Sequence, residues 1–223
     1  MAKSNSLARL EAFSDAVFAI AITLLILGIT IPAANSIHSE FDLIDALVQL
    51  WPSFFAFNLT FGIILIQWVS HHNTVGYLET TSRKFLYANG FLLLTIVFFP
   101  FPAALLADYM NSAFAMPAIV FYCLSCTVNC FAWFIFIHSI YKPKLLTRSN
   151  AFCIEQLAKL KKSNHVAIWI YSATTLLAIW FPYTALTISS ALWVLWISLS
   201  LAEKDEREEP AEPPVSSRKG KIV

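Results

Sequence analysis

Few ionisable side chains lie within the apolar runs of this sequence, and Asp15 is the acidic residue that lies deepest in one. It stands inside an apolar run that begins near Leu10. An ionisable group inside a membrane costs on the order of 2.5–3.5 kcal/mol on insertion scales, so this carboxylate needs a protein or water partner. A second reading places the same carboxylate at the membrane interface, beside lipid headgroups. Asp15 is therefore a candidate either for carrying a proton or for holding helices together.

Two adjacent histidines, His71 and His72, close a second apolar run three residues after Trp68. Because histidine titrates near neutral pH, both side chains are, with Asp15, possible proton carriers. Two structural readings stay open as well. The Trp–His group can be an interfacial anchor at a membrane boundary, or a buried polar contact between helices.

Three of the four cysteines share one face of a predicted helix, since Cys123, Cys126 and Cys130 are spaced i, i+3 and i+7. A metal site would need further ligands, and no histidine or acidic residue lies nearby on that helix. We therefore expect polarisable packing residues, with no metal site and no disulfide framework. The signatures HExxH, GxSxG and the Walker loop are also absent, so no catalytic residue and no enzymatic activity is expected.

The elements that must position these residues are membrane helices. Hydrophobic residues make up 58% of the 223 positions and charged residues only 13%, about half of the charged share in soluble domains. Apolar runs cover roughly 10–31, 47–70, 86–107, 114–140, 165–181 and 183–201, each near the ~20 residues that a bilayer crossing needs. The predicted fold class is all-α, a polytopic membrane protein with six transmembrane helices per subunit. The even count depends on splitting the last two runs at Pro182.

The placement of charge predicts the orientation. All 15 Lys and Arg residues lie in the predicted 2–3 and 4–5 connections and at the two ends of the chain. The 1–2 and 3–4 connections are acidic and carry none. The positive-inside rule then places both termini in the cytoplasm, in a multi-pass protein of the cell membrane. The first apolar run is too long for a removable signal peptide. We expect a membrane domain over residues 1–202 and a disordered cytoplasmic tail over 203–223.

One stripe of the first run stands out at helical spacing. With Ile20 at zero and 100° per residue, Thr23, Leu24 and Leu27 fall at about 300°, 40° and 340°, and Asp15 falls at about 220°. One face therefore presents branched apolar side chains with a single hydroxyl, and another presents a carboxylate. Such a stripe is compatible with helix–helix packing or with pore lining.

A set of motif residues opens the first run and continues in the next two. It comprises an R-x-x-x-F-S-D motif, a W-x-x-H pair and an asparagine eleven residues before a proline: Arg9, Phe13, Ser14, Asp15, Trp68, His71, Asn89 and Pro100. The pattern resembles the transmembrane protein 175 family of potassium channels, in particular its prokaryotic single-repeat members. The resemblance covers roughly the first 100 residues, and the second half agrees only in hydrophobic layout. One departure is Asn73, where several relatives have a basic residue.

The resemblance implies a homotetramer of six-span subunits, with the first helix of each subunit lining a central pore. The hydrophobic constriction of the family lands on Ile20 and its pore-facing threonine on Thr23, and Leu24 and Leu27 continue that face. The motif residues are implied to form a structural network rather than to bind ions. For Asp15, the resemblance suggests partners that lie in the same set of motif residues: Arg9, His71 and Asn89.

A second potassium-channel signature, at Thr74-Val75-Gly76-Tyr77, spells most of a TVGYG filter. Leu78 replaces the second glycine, and a full apolar run rather than a short pore helix precedes the segment. The nearby cations also place it on the cytoplasmic side, opposite to such a filter. We predict that residues 74–77 form a turn between the second and third spans and that their match to the TVGYG motif is coincidental.

The function predicted from these observations is a potassium-selective ion channel with a hydrophobic constriction in the first helix. Potassium is expected as the permeant ion only, with no cofactor. The expected partners are further copies of the chain and the lipid bilayer, and no nucleic acid. The alternative is a secondary transporter or proton pathway that uses Asp15 and His71. Against it, the chain shows no evident internal repeat and no pair of helices broken by Gly or Pro.

Overall fold

The computed structural model describes residues 5–140 and 151–208. The chain is all-α, as predicted, with eight α-helices in the described part. These are α1 (Asn5–Leu24), α2 (Glu40–Gln49), α3 (Trp51–Gly76), α4 (Arg83–Phe98), α5 (Pro100–Tyr109), α6 (Ala115–Ile140), α7 (Ala151–Leu177) and α8 (Pro182–Glu208). A 3₁₀ turn over Leu25–Gly28 extends α1, and a second 3₁₀ turn covers Ala34–Ser36.

Four segments of the described residues are long and apolar enough to cross a membrane. They are Asn5–Gly28, Trp51–Gly76, Arg83–Tyr109 and Ala115–Ile140, and they match the first four predicted spans. Helices α7 and α8 overlap the fifth and sixth predicted spans, but they are not among these four. The structure therefore supports a membrane protein with several crossings.

The third span is not one continuous helix. It breaks between α4 and α5 at Phe99. Pro100 has no N–H to donate to the preceding turn, and its ring clashes with the carbonyl group four residues earlier. The proline then sits in the first turn of α5, a position that tolerates it. Ser82 opens α4 at the other end, where its hydroxyl accepts the N–H of Phe85 at 3.2 Å.

Helix α6 lies at the centre of the bundle and α1 at its edge. The most apolar window of α6 is 56% buried, against 28% for that of α1. Around α6 pack α4, α5, α7 and α8, whereas α1 packs against α3 and α4. Much of the surface of α1 is therefore left uncovered by its own chain.

Polar side chains join the helices across the core. Thr60 in α3 shares a 3.1 Å hydrogen bond with Tyr122 in α6. The indole N–H of Trp133 donates to the side-chain oxygen of Gln67 at 2.8 Å. Where no water competes, each such bond satisfies groups that would otherwise be costly to bury. In membrane helices, interhelical hydrogen bonds average only ~0.6 kcal/mol, so they fix orientation more than they add stability.

Residues 74–76 correct one prediction, since they complete α3 rather than forming a turn. The N–H of Tyr77 donates to the carbonyl of Thr74 at 3.2 Å, and that of Leu78 donates to Val75 at 3.0 Å. A potassium filter needs extended backbone whose carbonyls point at the ion. The carbonyls of these two residues already accept main-chain hydrogen bonds, so the match to the TVGYG motif does not correspond to a filter.

Two further boundaries differ from the predicted ones. The lysines predicted to lie in a 4–5 loop at 159, 161 and 162 belong to α7, which already begins at Ala151. Helix α8 continues to Glu208, beyond the predicted end of the membrane domain at residue 202. Polar helix ends are not marked by hydropathy, so both helices extend past the apolar runs that the sequence shows. Residues 209–223 of the predicted tail lie outside the described residues, as does the predicted cationic cluster within 141–150.

The acidic 1–2 connection contains a helix, α2, that was not predicted. The Ser39 hydroxyl accepts the N–H of Asp42 at 3.1 Å, and the Asp42 carboxylate accepts the N–H of His38 at 3.0 Å. The Ser-x-x-Asp spacing is that of a capping box, but the Asp42 carboxylate reaches the N–H of the residue before the N-cap. The hydrogen bond from His38 and then that from Ser39 lower the pKa of the Asp42 carboxyl below its ordinary value.

Candidate functional site

Helix α1 has two distinct sides. One side carries the buried residues Leu7, Leu10, Ser14, Phe18, Ala21 and Leu25 and faces α3 and α4. The other side carries the predicted stripe, on which Ile20 is 55% exposed, Leu24 39% and Leu27 74%, with Thr23 also exposed. The four stripe residues therefore share one face of α1 that the described part of the chain leaves open.

The 3₁₀ turn at the end of α1 keeps this face aligned. In a 3₁₀ helix, residues three apart eclipse one another. Leu27, inside the turn Leu25–Gly28, therefore lies over Leu24 rather than rotating away from it. The stripe continues straight to the end of the helix.

Thr23 has a hydroxyl whose hydrogen is directed into its own helix. Its Oγ1 lies 3.0 Å from the carbonyl oxygen of Ala19 and 2.9 Å from that of Ile20, and it can donate only one hydrogen to this pair. The lone pairs of the threonine oxygen stay available on the exposed side. A cation passing this face would meet an acceptor rather than an O–H donor.

The opposite side of α1 is held by five polar residues, which we call the polar anchor: Ser14, Asp15, Trp68, His71 and Asn89. The Asn89 amide nitrogen donates to Ser14 Oγ at 3.0 Å, and its oxygen lies 2.8 Å from His71 Nε2. Because the amide oxygen can only accept, this network assigns the Nε2 hydrogen to His71. Ser14, His71 and Asn89 are at most 2% exposed. A single asparagine thus joins α1 to α3 and α4.

Asp15 has a different partner from those suggested by the resemblance. Its carboxylate accepts the indole N–H of Trp68 at 2.9 Å, whereas His71 and Asn89 bond to each other. The reason is rotational, because Asp15 lies about 100° around the helix from Ser14, so adjacent motif residues meet different helices. Arg9, the third suggested partner, is exposed on the stripe side.

Arg9 and Phe13 do not join the anchor. Phe13 is 61% exposed, and both side chains line an open groove of about 440 Å³ between α1 and α4. Arg9 makes no salt bridge within the described residues. Both lie on the same side of α1 as Ile20, away from the buried side that packs on α3 and α4.

Two contacts beside the anchor were not predicted. Glu11 lies 3.9 Å from His72 at the same end of the bundle, and Gln67 accepts from Trp133 one residue before the anchor tryptophan. Both pairs join different helices, so the spacing of residues along the sequence does not predict these contacts. The three cysteines of α6 are buried and free. In the described part of the chain, no group of three His, Cys, Asp or Glu side chains could hold a metal.

The structure makes the anchor testable through Asn89, because leucine keeps the branched side-chain skeleton but removes both hydrogen bonds. Ser14 Oγ and His71 Nε2 would then be buried without their partner, at about 1–3 kcal/mol. We expect Asn89→Leu to lower the melting temperature in mild detergent and to reduce the yield of folded protein. Asn58→Leu is the matched control, since the exposed Asn58 bonds only within its own helix. Equal losses in both variants would show that the anchor adds no specific stability.

The fold and site define a helical membrane protein whose first helix has one anchored side and one open side. The sequence model described as the endosomal/lysosomal potassium channel TMEM175 matches residues 9–100. A solved structure, described as a lysosomal potassium-selective channel TMEM175 homolog from Chamaesiphon minutus, is 30% identical with a TM-score of 0.77. The match covers 87% of this chain and 97% of that one. The chain belongs to the TMEM175 family.

Curated relatives agree with this assignment over the first half of the chain. A potassium channel of Chamaesiphon minutus is 49% identical over 102 residues, which are 46% of this chain and 50% of the relative. The chain thus spans about half the length of this relative. A Danio rerio protein named endosomal/lysosomal proton channel TMEM175 is 37% identical over 90 residues, 38% of this chain and 17% of the relative. The family is one of ion channels, which confirms the prediction that the chain is not an enzyme.

Proposed function

We propose that this chain forms a potassium-selective ion channel in the cell membrane, with a conduction path lined by the open side of α1. The observation that carries the proposal is the contrast between the two sides of this helix. The anchored side makes a buried hydrogen bond to α4 through Ser14 and a half-buried one to α3 through Asp15. The other side leaves Ile20, Thr23 and Leu27 uncovered. Membership of the TMEM175 family supports potassium as the permeant ion.

The assembly that we propose is a homotetramer. One α1 stripe cannot enclose a path, but four stripes around a common axis can. Such packing would also cover the apolar residues of α1 that the single chain leaves exposed. The proposed subunit has six spans, with α7 and α8 as the fifth and sixth, and both termini in the cytoplasm. The proposed channel domain covers residues 1–202.

We propose that the narrowest ring is formed by Ile20, with Leu24 and Leu27 extending the apolar wall. Four branched side chains on the axis offer an ion no oxygen ligand. A closed ring of this kind gates by excluding water, and a small dilation lets the ion through. Potassium holds its hydration shell less tightly than sodium, so it crosses such a ring more easily.

Thr23 supplies the only hydroxyls on the stripe, about one turn from Ile20. With the hydroxyl hydrogen bonded to the backbone, four Thr23 oxygens can replace part of the lost hydration of an ion. We expect Thr23→Ala to lower the preference for potassium over sodium and still to give a conducting tetramer. Reversal potentials in mixed potassium and sodium measure this. Thr23→Ser, which keeps the oxygen, is the control and should retain the preference. An unchanged preference in Thr23→Ala would remove the threonine ring from the mechanism.

The polar anchor has a structural role in this proposal, with Arg9 and Phe13 acting between subunits. Because the anchor fixes the rotation of α1, it determines which side chains face the axis. The exposed Arg9 and Phe13 lie on the side that the tetramer would cover. They would therefore meet a neighbouring copy rather than residues of their own chain.

A second candidate is a proton pathway, for which the Danio rerio relative gives a specific reason. It would use Asp15 and His71, which lie in the same anchor. Both side chains already have hydrogen-bond partners there, Trp68 and Asn89. A proton carrier would have to exchange these partners as it moves, so the geometry favours a static role.

Reconstitution in liposomes separates the two candidates. Purified protein in liposomes with an outward potassium gradient should give a potassium flux that follows the membrane potential and needs no second gradient. Liposomes without protein and liposomes with Asp15→Asn protein are the controls. A flux strictly coupled to protons, or a pH change without potassium flux, would overturn the potassium channel and support the proton pathway.

A further inference from the structure

Helix α2 has an apolar surface that the described residues of its own chain leave largely open. None of its ten residues is buried. Its large apolar side chains are 44–82% exposed: Phe41, Leu43, Ile44, Leu47 and Val48. A water-exposed surface of this kind on a short helix indicates a contact outside the subunit.

The exposed residues are sorted by side around the helix. At 100° per residue, the five apolar residues fall within about 160° of each other, and Asp42, Asp45 and Gln49 fall together on the opposite side. The amide of Gln49 donates to Asp45 at 2.6 Å, so the polar side is internally bonded. Glu40 is the exception, since it lies on the apolar side, but it occupies the exposed first turn. Helix α2 is therefore amphipathic.

The position of α2 in the chain fixes its distance from the membrane. Only Leu50 separates it from α3, which is a candidate span from its first residue, Trp51. Trp51 and Phe54 are 48% and 44% exposed at this end of α3. They continue an apolar surface from the span toward α2, and aromatic residues are typical of the membrane boundary.

We propose that α2 lies in the plane of the membrane interface, with its apolar side in the headgroup–acyl boundary of zwitterionic lipids and its acidic side in water. Interfacial helices bury their apolar side about 5–10 Å into this boundary. The choice of lipid follows from charge, because Glu40, Asp42 and Asp45 are repelled by anionic headgroups. The low pKa of Asp42 keeps that carboxylate charged in mildly acidic solution. The proposal needs only a membrane-embedded chain and does not depend on channel activity.

Environment-sensitive labels on the two sides of α2 test this. Single cysteines at Phe41 and Val48 probe the apolar side, and cysteines at Asp45 and Gln49 probe the polar side as matched controls. All four positions are exposed. The background is Cys153→Ser, since the other native cysteines are buried. Each variant is labelled with NBD in phosphatidylcholine liposomes and quenched by lipids that carry a spin label near the headgroup.

The proposal predicts at least twofold stronger quenching at 41 and 48 than at 45 and 49, with blue-shifted emission at the first pair. Liposomes rich in phosphatidylglycerol should reduce the difference. Equal quenching on both sides would overturn the proposal. Blue-shifted emission at 41 and 48 without lipid quenching would also overturn it, because a second copy of the chain would then cover α2. Size-exclusion profiles confirm that each labelled variant is folded.

Discussion

Replacing Ile20 with asparagine should raise single-channel potassium conductance by about tenfold, equivalent to about 1.4 kcal/mol off the barrier. Four apolar side chains at the narrowest ring exclude water, so an ion crossing there must shed part of its shell. Asparagine has as many side-chain heavy atoms as isoleucine but is smaller, and it supplies an amide that holds water in the ring. Recordings in planar bilayers with symmetric potassium measure the change directly.

Leu176→Asn is the matched control for this prediction. Leu176 is 59% exposed, close to the 55% of Ile20, but it lies in α7 rather than on the α1 stripe. We expect its conductance to match that of the unmodified protein. If both variants conduct alike, the constriction does not lie at Ile20.

Replacing Gly62 with alanine should cause a large loss of stability. A Cβ at Gly62 would overlap the Nε1, Cε2 and Cζ2 atoms of the rigid Trp193 indole in α8. Such overpacking costs about 1–3 kcal/mol, and each kcal/mol lowers the melting temperature of a chain of this size by about 2–4 °C. Thermal unfolding in detergent, followed by tryptophan fluorescence, measures the loss.

Gly76→Ala gives the matched control within the same helix. A Cβ at Gly76 meets no atom within 4 Å, and alanine is up to ~1 kcal/mol better than glycine in a helix. Its melting temperature should therefore stay the same or rise. A fall of equal size in both variants would show that the contact of α3 with α8 does not depend on Gly62.

The stripe on α1 could be predicted because it depends on helical spacing alone. Ile20, Thr23, Leu24 and Leu27 share one face in any α-helix, and the 3₁₀ turn happens to preserve that face. The first four spans were likewise predictable from the length of their apolar runs. The break at Pro100 is also predictable from the sequence, because proline interrupts a helix at any position beyond the first turn.

Partners across helices could not be predicted in the same way. Asp15 meets Trp68 rather than His71 or Asn89 because the rotation of α1 against α3 and α4 is set by the packing of the whole bundle. The contact of Gly62 with Trp193 joins residues 131 positions apart, and neither residue type indicates its partner. Helix α2, by contrast, is predictable from the sequence, because Ser39 and Asp42 have the Ser-x-x-Asp spacing of a capping box and precede an amphipathic segment.

Thiol block of the open side of α1 tests the central claim most directly. In a Cys153→Ser background, Leu27→Cys places a thiol on the stripe, where the native residue is 74% exposed, and Leu25→Cys places one on the anchored side, where it is 4% exposed. A small cationic methanethiosulfonate should block the potassium current through Leu27→Cys channels within seconds and leave Leu25→Cys channels unchanged. Potassium current that persists unchanged in fully modified Leu27→Cys protein would contradict a path lined by α1.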